Sequence, residues 1–296
     1  MDRYTITSKD VVPAGKATLE VSLDEIRKPT ENVVAVLPGS DPRLKKESVV
    51  IGAHYDHIGF GHYGTRESST EGEVHHGADD NASGTAVLLE VARRLGRTDI
   101  KPARTIVFAA FSAEELGLFG SRHYVNHPAV PLSSTKAMIN LDMVGRLRDG
   151  RVTVFGTRSA EEFSGIVKSG ATELGLEISE SDVIGRSDHM SFYGKRIPAL
   201  HFFTGIHSDY HGPGDTWDKL NLEGMAKISQ LVLATVRSIA NTNAPLNFVS
   251  LPSGAGAQAI SEGGASTAYL GSIPDYSAAA GGVRLAGVSA GSPAPV

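Results

Sequence analysis

Apolar and polar positions follow two rhythms along this chain. Short runs rich in β-branched and aromatic residues alternate with stretches whose apolar residues fall at helical spacing. "NVVAVLPG" (32–39) and "SVVIGAHYD" (48–56) predict buried strands, the first closed by Pro-Gly. "RTIVFAAFS" (104–112) is apolar without alternation, as in a strand covered on both faces. "KAMINLDMVG" (136–145), "RVTVFG" (151–156) and "IPALHFF" (197–203) read the same way. Between them, Val87, Leu88, Val91 and Leu95 share one helix face, and 160–174 predicts another helix. Leu222, Met225, Ile228, Val232, Val236 and Ile239 predict a long final helix with Asn221 as its N-cap.

Strands alternating with helices imply an α/β fold. The expected form is a three-layer sandwich, a mostly parallel central sheet covered by helices on both faces. Ligands in such folds bind outside the carboxyl ends of the strands. The pattern changes after residue 243. From 244 to 296 the charged residues are Glu262, Asp275 and Arg284, and Gly, Ala, Ser and Pro dominate. The expected organisation is an N-terminal extension (1–30), a main domain (31–243) and a linker with a further segment (244–296). Within that segment "TAYLGSIPDY" and "GVRLAGVSAGSPA" alternate like strands and resemble the start of a PDZ domain. The resemblance implies a fragment of a longer parent, in which the complete PDZ domain would take a peptide ligand.

Composition narrows the chemistry. The 296 residues suffice for one large domain, or one domain and a small module. The net charge of −5 points to no nucleic acid and no anionic membrane surface. No apolar run reaches the roughly 18 residues of a membrane span. With no cysteine, disulfides and thiolate sites are excluded, so a metal must be held by His, Asp and Glu. The first fifteen residues lack the basic-then-apolar pattern of a signal peptide.

Five short stretches carry acids or imidazoles at predicted strand ends: "AHYDH" (53–57), "GADDNASG" (77–84), "SAEELG" (112–117), "NLDMVG" (140–145) and "SDYHGPGDT" (208–216). Two zinc ions need about four N or O donors each. Two histidines, two terminal carboxylates and one shared carboxylate would hold a pair about 3.5–4 Å apart. A further carboxylate could then take a proton from water. The chain offers that complement in His54, Asp80, Glu114, Glu115, Asp142 and His211.

These motifs, in this order over roughly residues 30–242, resemble the co-catalytic zinc aminopeptidases of metallopeptidase clan MH. Bacterial leucyl aminopeptidases, glutamate carboxypeptidase and the transferrin receptor are relatives in that group. The resemblance implies two zinc ions per chain, with His54, Asp80, Glu115, Asp142 and His211 as ligands and Asp80 as the bridge. It implies a cis bond between Asp80 and Asn81, and it makes Asp56 the carboxylate that orients His54. Glu114 is then the general base for a metal-bridging water, and Tyr210 the donor to the oxyanion. Arg186, in "GRSDH", matches an arginine set against the substrate backbone. The implied reaction is exopeptidase cleavage of the N-terminal peptide bond of a substrate with a free N-terminus. Carboxypeptidase or glutaminyl-cyclase activity on the same scaffold is the alternative, with a non-catalytic binding role behind it. The likeness also implies a secreted, periplasmic or cell-envelope location for the parent.

The remaining histidines take plainer readings. His62, His75 and His76 fall in a polar loop, His201 in the core, and His207 yields to His211 as ligand. His57 is expected at the rim, and Asp188 and His189 as hydrogen-bonding support. Phe192, Phe202 and Phe203 are candidates for either an apolar pocket or the sheet core.

Overall fold

The computed structural model describes residues 28–97, 101–181, 187–251, 272–274 and 285–288. By internal packing the chain divides into Met1–Thr30 and Glu31–Val296. Of the first unit, the described residues 28–30 form neither helix nor strand. Arg186 lies outside the described residues, as does most of 252–296. Of residues 252–296 the structure describes two short strands, Ser272–Pro274 and Leu285–Val288, paired antiparallel.

The main sheet has seven strands: β1 (Val33–Leu37), β2 (Ser48–His54), β3 (Thr105–Phe111), β4 (Thr135–Leu141), β5 (Arg151–Phe155), β6 (Glu177–Ser181) and β7 (Ala199–Phe203). Their order is β1-β3-β2-β4-β7-β5-β6. The central four, β3-β2-β4-β7, run parallel. β1 pairs antiparallel with β3, and β5 antiparallel with β7. The parallel centre places the carboxyl ends of β2, β3, β4 and β7 along one edge.

Helices cover both faces. On one side α1 (Gly84–Arg97), α3 (Phe163–Glu173) and α5 (Leu222–Asn241) pack against Val49, Ile51, Ile106 and Ile139. On the other, Tyr124 and Val125 of α2 (Phe119–Asn126) and Phe192 of α4 (His189–Tyr193) meet Val50, Val107, Phe111 and Met138. Strand residues alternate between the two cores, as the pleat requires. The three-layer α/β sandwich is therefore as the pattern predicts. Asn221 also caps α5, its side chain accepting from Gly224 N at 2.8 Å. Among the described residues no helix is long and apolar enough to cross a membrane.

One local expectation needs correction, and one strand stands outside the pattern. β1 is not a buried strand: it pairs only with β3, and Val33 is 64% exposed. Its apolar run reflects β propensity at an edge, not burial. β6 escapes the pattern because "EISES" has one apolar residue and also lies at an edge.

Ile139, at the middle of β4, is fully buried between β2 and β7. Ile139→Ala should lower unfolding free energy in urea by about 2–5 kcal/mol, the usual cost of such a truncation.

Candidate metal centre

The first histidine sits where β2 ends. His54 Nδ1 donates to the carbonyl of Asp56 at 3.1 Å, which leaves Nε2 facing inward. There Nε2 lies 3.4 Å from Asp80 Oδ1 and 3.4 Å from Asp142 Oδ1. Asp56 holds two further groups: its carboxylate accepts from the backbone N–H of Glu114 at 3.1 Å and of Glu115 at 3.3 Å. One carboxylate thus joins the end of β2 to the loop after β3.

His211 mirrors His54. Its Nδ1 donates to the carbonyl of Gly64 at 2.7 Å. Its Nε2 lies 3.2 Å from Asp80 Oδ2 and 3.0 Å from Glu115 Oε2. Asp80 therefore presents one oxygen to His54 and the other to His211. The two imidazoles hold its carboxyl well below the usual carboxylate range, against the opposing effect of burial.

The turn that carries Asp80 is tightly built. Asp80 (φ −107°, ψ 87°) and Asn81 (φ −136°, ψ 40°) leave helical geometry between Gly77 and α1, and the bond joining them is cis. Asn81 Nδ2 donates to the Leu141 carbonyl at 2.9 Å, and Asn81 Oδ1 accepts from Gly84 N at 3.0 Å. Gly77 sits at φ 60°, a left-handed position that suits glycine. Asp79 is fully buried and accepts from Gly145 N at 2.6 Å and Ser83 Oγ at 3.0 Å. It is a hydrogen-bonding neighbour, as its place in the loop suggests.

Glu114, a further acid beside His54, is pushed well above the usual carboxyl range. Burial is the main cause, the charges of Asp142, Asp188 and Glu115 add to it, and His54 opposes it. Burial likewise raises Asp188 to about 7. Tyr210 stacks on His211, ring centroids 4.0 Å apart, and burial with the surrounding acids keeps its phenol protonated. Three non-glycine residues with left-handed backbone are found in these segments: Ala113 (φ 55°), Met143 (φ 53°) and His211 (φ 54°). Such conformations are sustained by surrounding structure and cluster at functional sites.

The structure thus gathers His54, Asp56, Asp80, Glu114, Glu115, Asp142, Tyr210 and His211. It adds one residue that the sequence reading left at the rim. His57 Nδ1 is 2.7 Å from Glu115 Oε1, and its ring meets His211 edge-on. Judged by proximity alone, His54, Glu114 and Asp142 form one donor group and His57, Asp80 and Glu115 a second, each with ligand atoms within 4.8 Å of one another. His57 Nδ1, however, is 3.9 Å from Asp80, whereas His211 Nε2 reaches both Asp80 and Glu115. The signal for His57 was its place three residues after His54, on the same strand exit.

Other candidates fall elsewhere. His207 Nε2 pairs with Asp79 at 3.2 Å, away from the two donor groups. His75 is buried in its loop against Thr65 and Thr70. His189 does not support the site by hydrogen bonds; its buried ring packs on His201 at 4.7 Å. Phe192 and Phe202 are core, while Phe203 joins Met143, Phe155, His201 and Ile206 in a cleft beside the acids.

The residues fit a metal pair. The donors are all N and O, and the contacts of buried Asp142 Oδ1 with His54 and of His211 Nε2 with Asp80 and Glu115 lack hydrogen-bond geometry, which leaves both atoms open to a metal. Four acids, Asp80, Glu114, Glu115 and Asp142, stand against three imidazoles, His54, His57 and His211, a donor set suited to metal cations.

Fold and site together define an α/β protein with a candidate metal centre at the carboxyl edge of its sheet. Residues 32–236 match the model of peptidase family M28, and the chain belongs to that family. Aminopeptidase YwaD of Bacillus subtilis is 31% identical over 198 residues, covering 64% of this chain and 40% of YwaD. Leupeptin-inactivating enzyme 1 of Streptomyces exfoliatus is 32% identical over 181 residues, covering 60% and 36%. Among solved structures, the zinc aminopeptidase BSAP of Bacillus subtilis superposes with a TM-score of 0.60 at 29% identity, over 71% of this chain and 50% of that one. The Aneurinibacillus sp. strain AM-1 aminopeptidase gives 0.58 at 28%, over 75% and 50%. The chain spans about 40% or less of these two curated relatives and half of these solved chains.

Gly84 packs where a Cβ would collide with Asn81 Oδ1 and the Leu141 carbonyl. Gly84→Ala should therefore destabilise the fold by about 1–3 kcal/mol through overpacking. Thermal unfolding measures it, and an unchanged Tm would mean the turn can give way.

Proposed function

We propose that the protein is a zinc-dependent exopeptidase that removes the N-terminal residue of a peptide with a free N-terminus. The observation that carries the reading is Asp80, whose two carboxylate oxygens face two separate imidazoles, His54 and His211. In this reading His54, Asp80 and Asp142 would hold one zinc ion, and Asp80, Glu115 and His211 would hold a second. Zinc bound there would lower the pKa of water toward about 7 and polarise the scissile carbonyl.

The chain's own groups do the rest. Glu114, set beside His54 and Asp142, accepts a proton from the attacking water. As the water oxygen bonds to the carbonyl carbon, the Tyr210 hydroxyl donates to the developing oxyanion. The C–N bond then breaks, and Glu114 passes its proton to the leaving amine. Asp56 holds the backbone of Glu114 and Glu115 while this happens. Met143, Phe155, Phe203 and Ile206 form an apolar wall beside the acids, which supports an apolar N-terminal side chain on the substrate.

The reading is tested on an anilide of leucine, a dipeptide with a C-terminal acidic residue and a peptide beginning with glutamine. Turnover should be confined to the leucine anilide, vanish with a zinc chelator and return with zinc. Cleavage of the acidic dipeptide, or cyclisation of the glutamine, would instead identify a carboxypeptidase or a cyclase. Separately, Glu114→Gln should retain zinc but lose about 10²–10⁴-fold in kcat, the usual worth of a general base. Near wild-type turnover in that variant would remove Glu114 from the role.

A further inference from the structure

Behind the acids lies a second charged cluster that the proposed chemistry does not use. Arg146, four residues beyond Asp142, is largely buried. Its planar fork is divided between two acids. Nη2 donates to Asp215 Oδ1 at 2.8 Å, and Nη1 to Asp209 Oδ2 at 3.0 Å. The second oxygen of Asp215 accepts the backbone N–H of both Asp79, at 2.9 Å, and Asp80, at 3.0 Å. Asp209, held also by Lys219 at 2.8 Å, directly precedes Tyr210 and His211. Arg146 itself is fixed by its backbone N–H, which donates to Thr204 Oγ1 at 3.1 Å.

Three segments that carry candidate ligands therefore meet at one guanidinium: the turn of Asp80, the exit of β4 after Asp142, and the loop of His211. Asp215 is fully buried, so its charge needs a partner, and only a fork can serve two carboxylates at fixed spacing. We infer that Arg146 is a positioning residue for the metal centre: through Asp215 it fixes the backbone of the bridging Asp80, and through Asp209 it fixes the segment of Tyr210 and His211. The inference rests on the proposed two-zinc reading.

The two arms predict different losses. Cutting the Asp215 arm releases Asp80, which both ions would share. Cutting the Asp209 arm releases only the His211 side. A role in stability alone predicts no such asymmetry. Arg104 supplies the control. It is also buried and ion-paired, to Glu47 at 2.8 Å, and donates to the carbonyls of Ile239 and Thr242. It stands at the start of β3, at the opposite end of the sheet from the acids.

The experiment is zinc titration of metal-free full-length chain by calorimetry, with circular dichroism for folding and steady-state kinetics on the leucine anilide. Wild type should bind two zinc ions. Arg146→Met and Asp215→Asn should weaken both sites about 10–100-fold, the usual range for groups that orient ligands. Asp209→Ala should weaken one site and leave the other. In the folded variants kcat should fall while KM changes little, and Arg146→Lys should not restore it. Arg104→Met should lower the Tm without moving either zinc affinity. Wild type binding fewer than two zinc ions would sink the two-metal reading itself. Two sites in wild type, unmoved by Asp209→Ala and by Asp215→Asn or Arg146→Met, would overturn the positioning role alone. Should Arg146→Met fail to fold, the contrast between Asp209→Ala and Asp215→Asn still decides.

Discussion

The site depends on how one short turn is gripped from behind. Asp80 can offer an oxygen to each imidazole only if its backbone cannot rotate. Two N–H groups of that turn are spent on Asp215, and Asn81 ties its far end to β4. Asp79 locks the same turn to Gly145. Each of these bonds is buried, where an unmade hydrogen bond is expensive, so the turn has few alternatives to its observed path. The parallel centre of the sheet sets up the rest, because four neighbouring strands deliver their carboxyl ends, and the loops that follow, to one edge.

Much of this was legible from residue patterns. The apolar runs marked six of the seven strands, since buried parallel strands need no polar alternation. The acids and imidazoles were legible because each sits at a strand exit within a short motif, as with His54 after "GA" and Asp142 after "NL". The partition of donors was less so. His57 looks like a rim residue along the chain, and only folding brings it to Glu115, 58 residues away. β1 was read as buried because a Val-rich run carries the same letters at an edge as in a core.

The Arg146 cluster was illegible for a related reason. Asp209 and Asp215 lie in "SDYHGPGDT", but Arg146 belongs to none of the five motifs, and it is separated from Asp215 by 69 positions. Nothing beside Arg146 in the sequence distinguishes it from half of a surface ion pair. What distinguishes it is burial: Asp215 is fully enclosed, and desolvation makes its partner obligatory, whereas an exposed pair is worth little.

The same contrast divides the sheet into two ends with different demands. At the amino end of β3, Arg104 satisfies carbonyls at the end of α5 and the acid Glu47. At the carboxyl end four acids, Asp80, Glu114, Glu115 and Asp142, crowd against three imidazoles, an excess of carboxyl groups in a buried place. Arg146 is already committed to Asp209 and Asp215. A fold that built this excess only for stability would be better served by apolar side chains of similar volume. The excess makes physical sense if the missing charge arrives as bound cations, and the left-handed backbone at Ala113, Met143 and His211 marks the same segments as shaped for something other than stability.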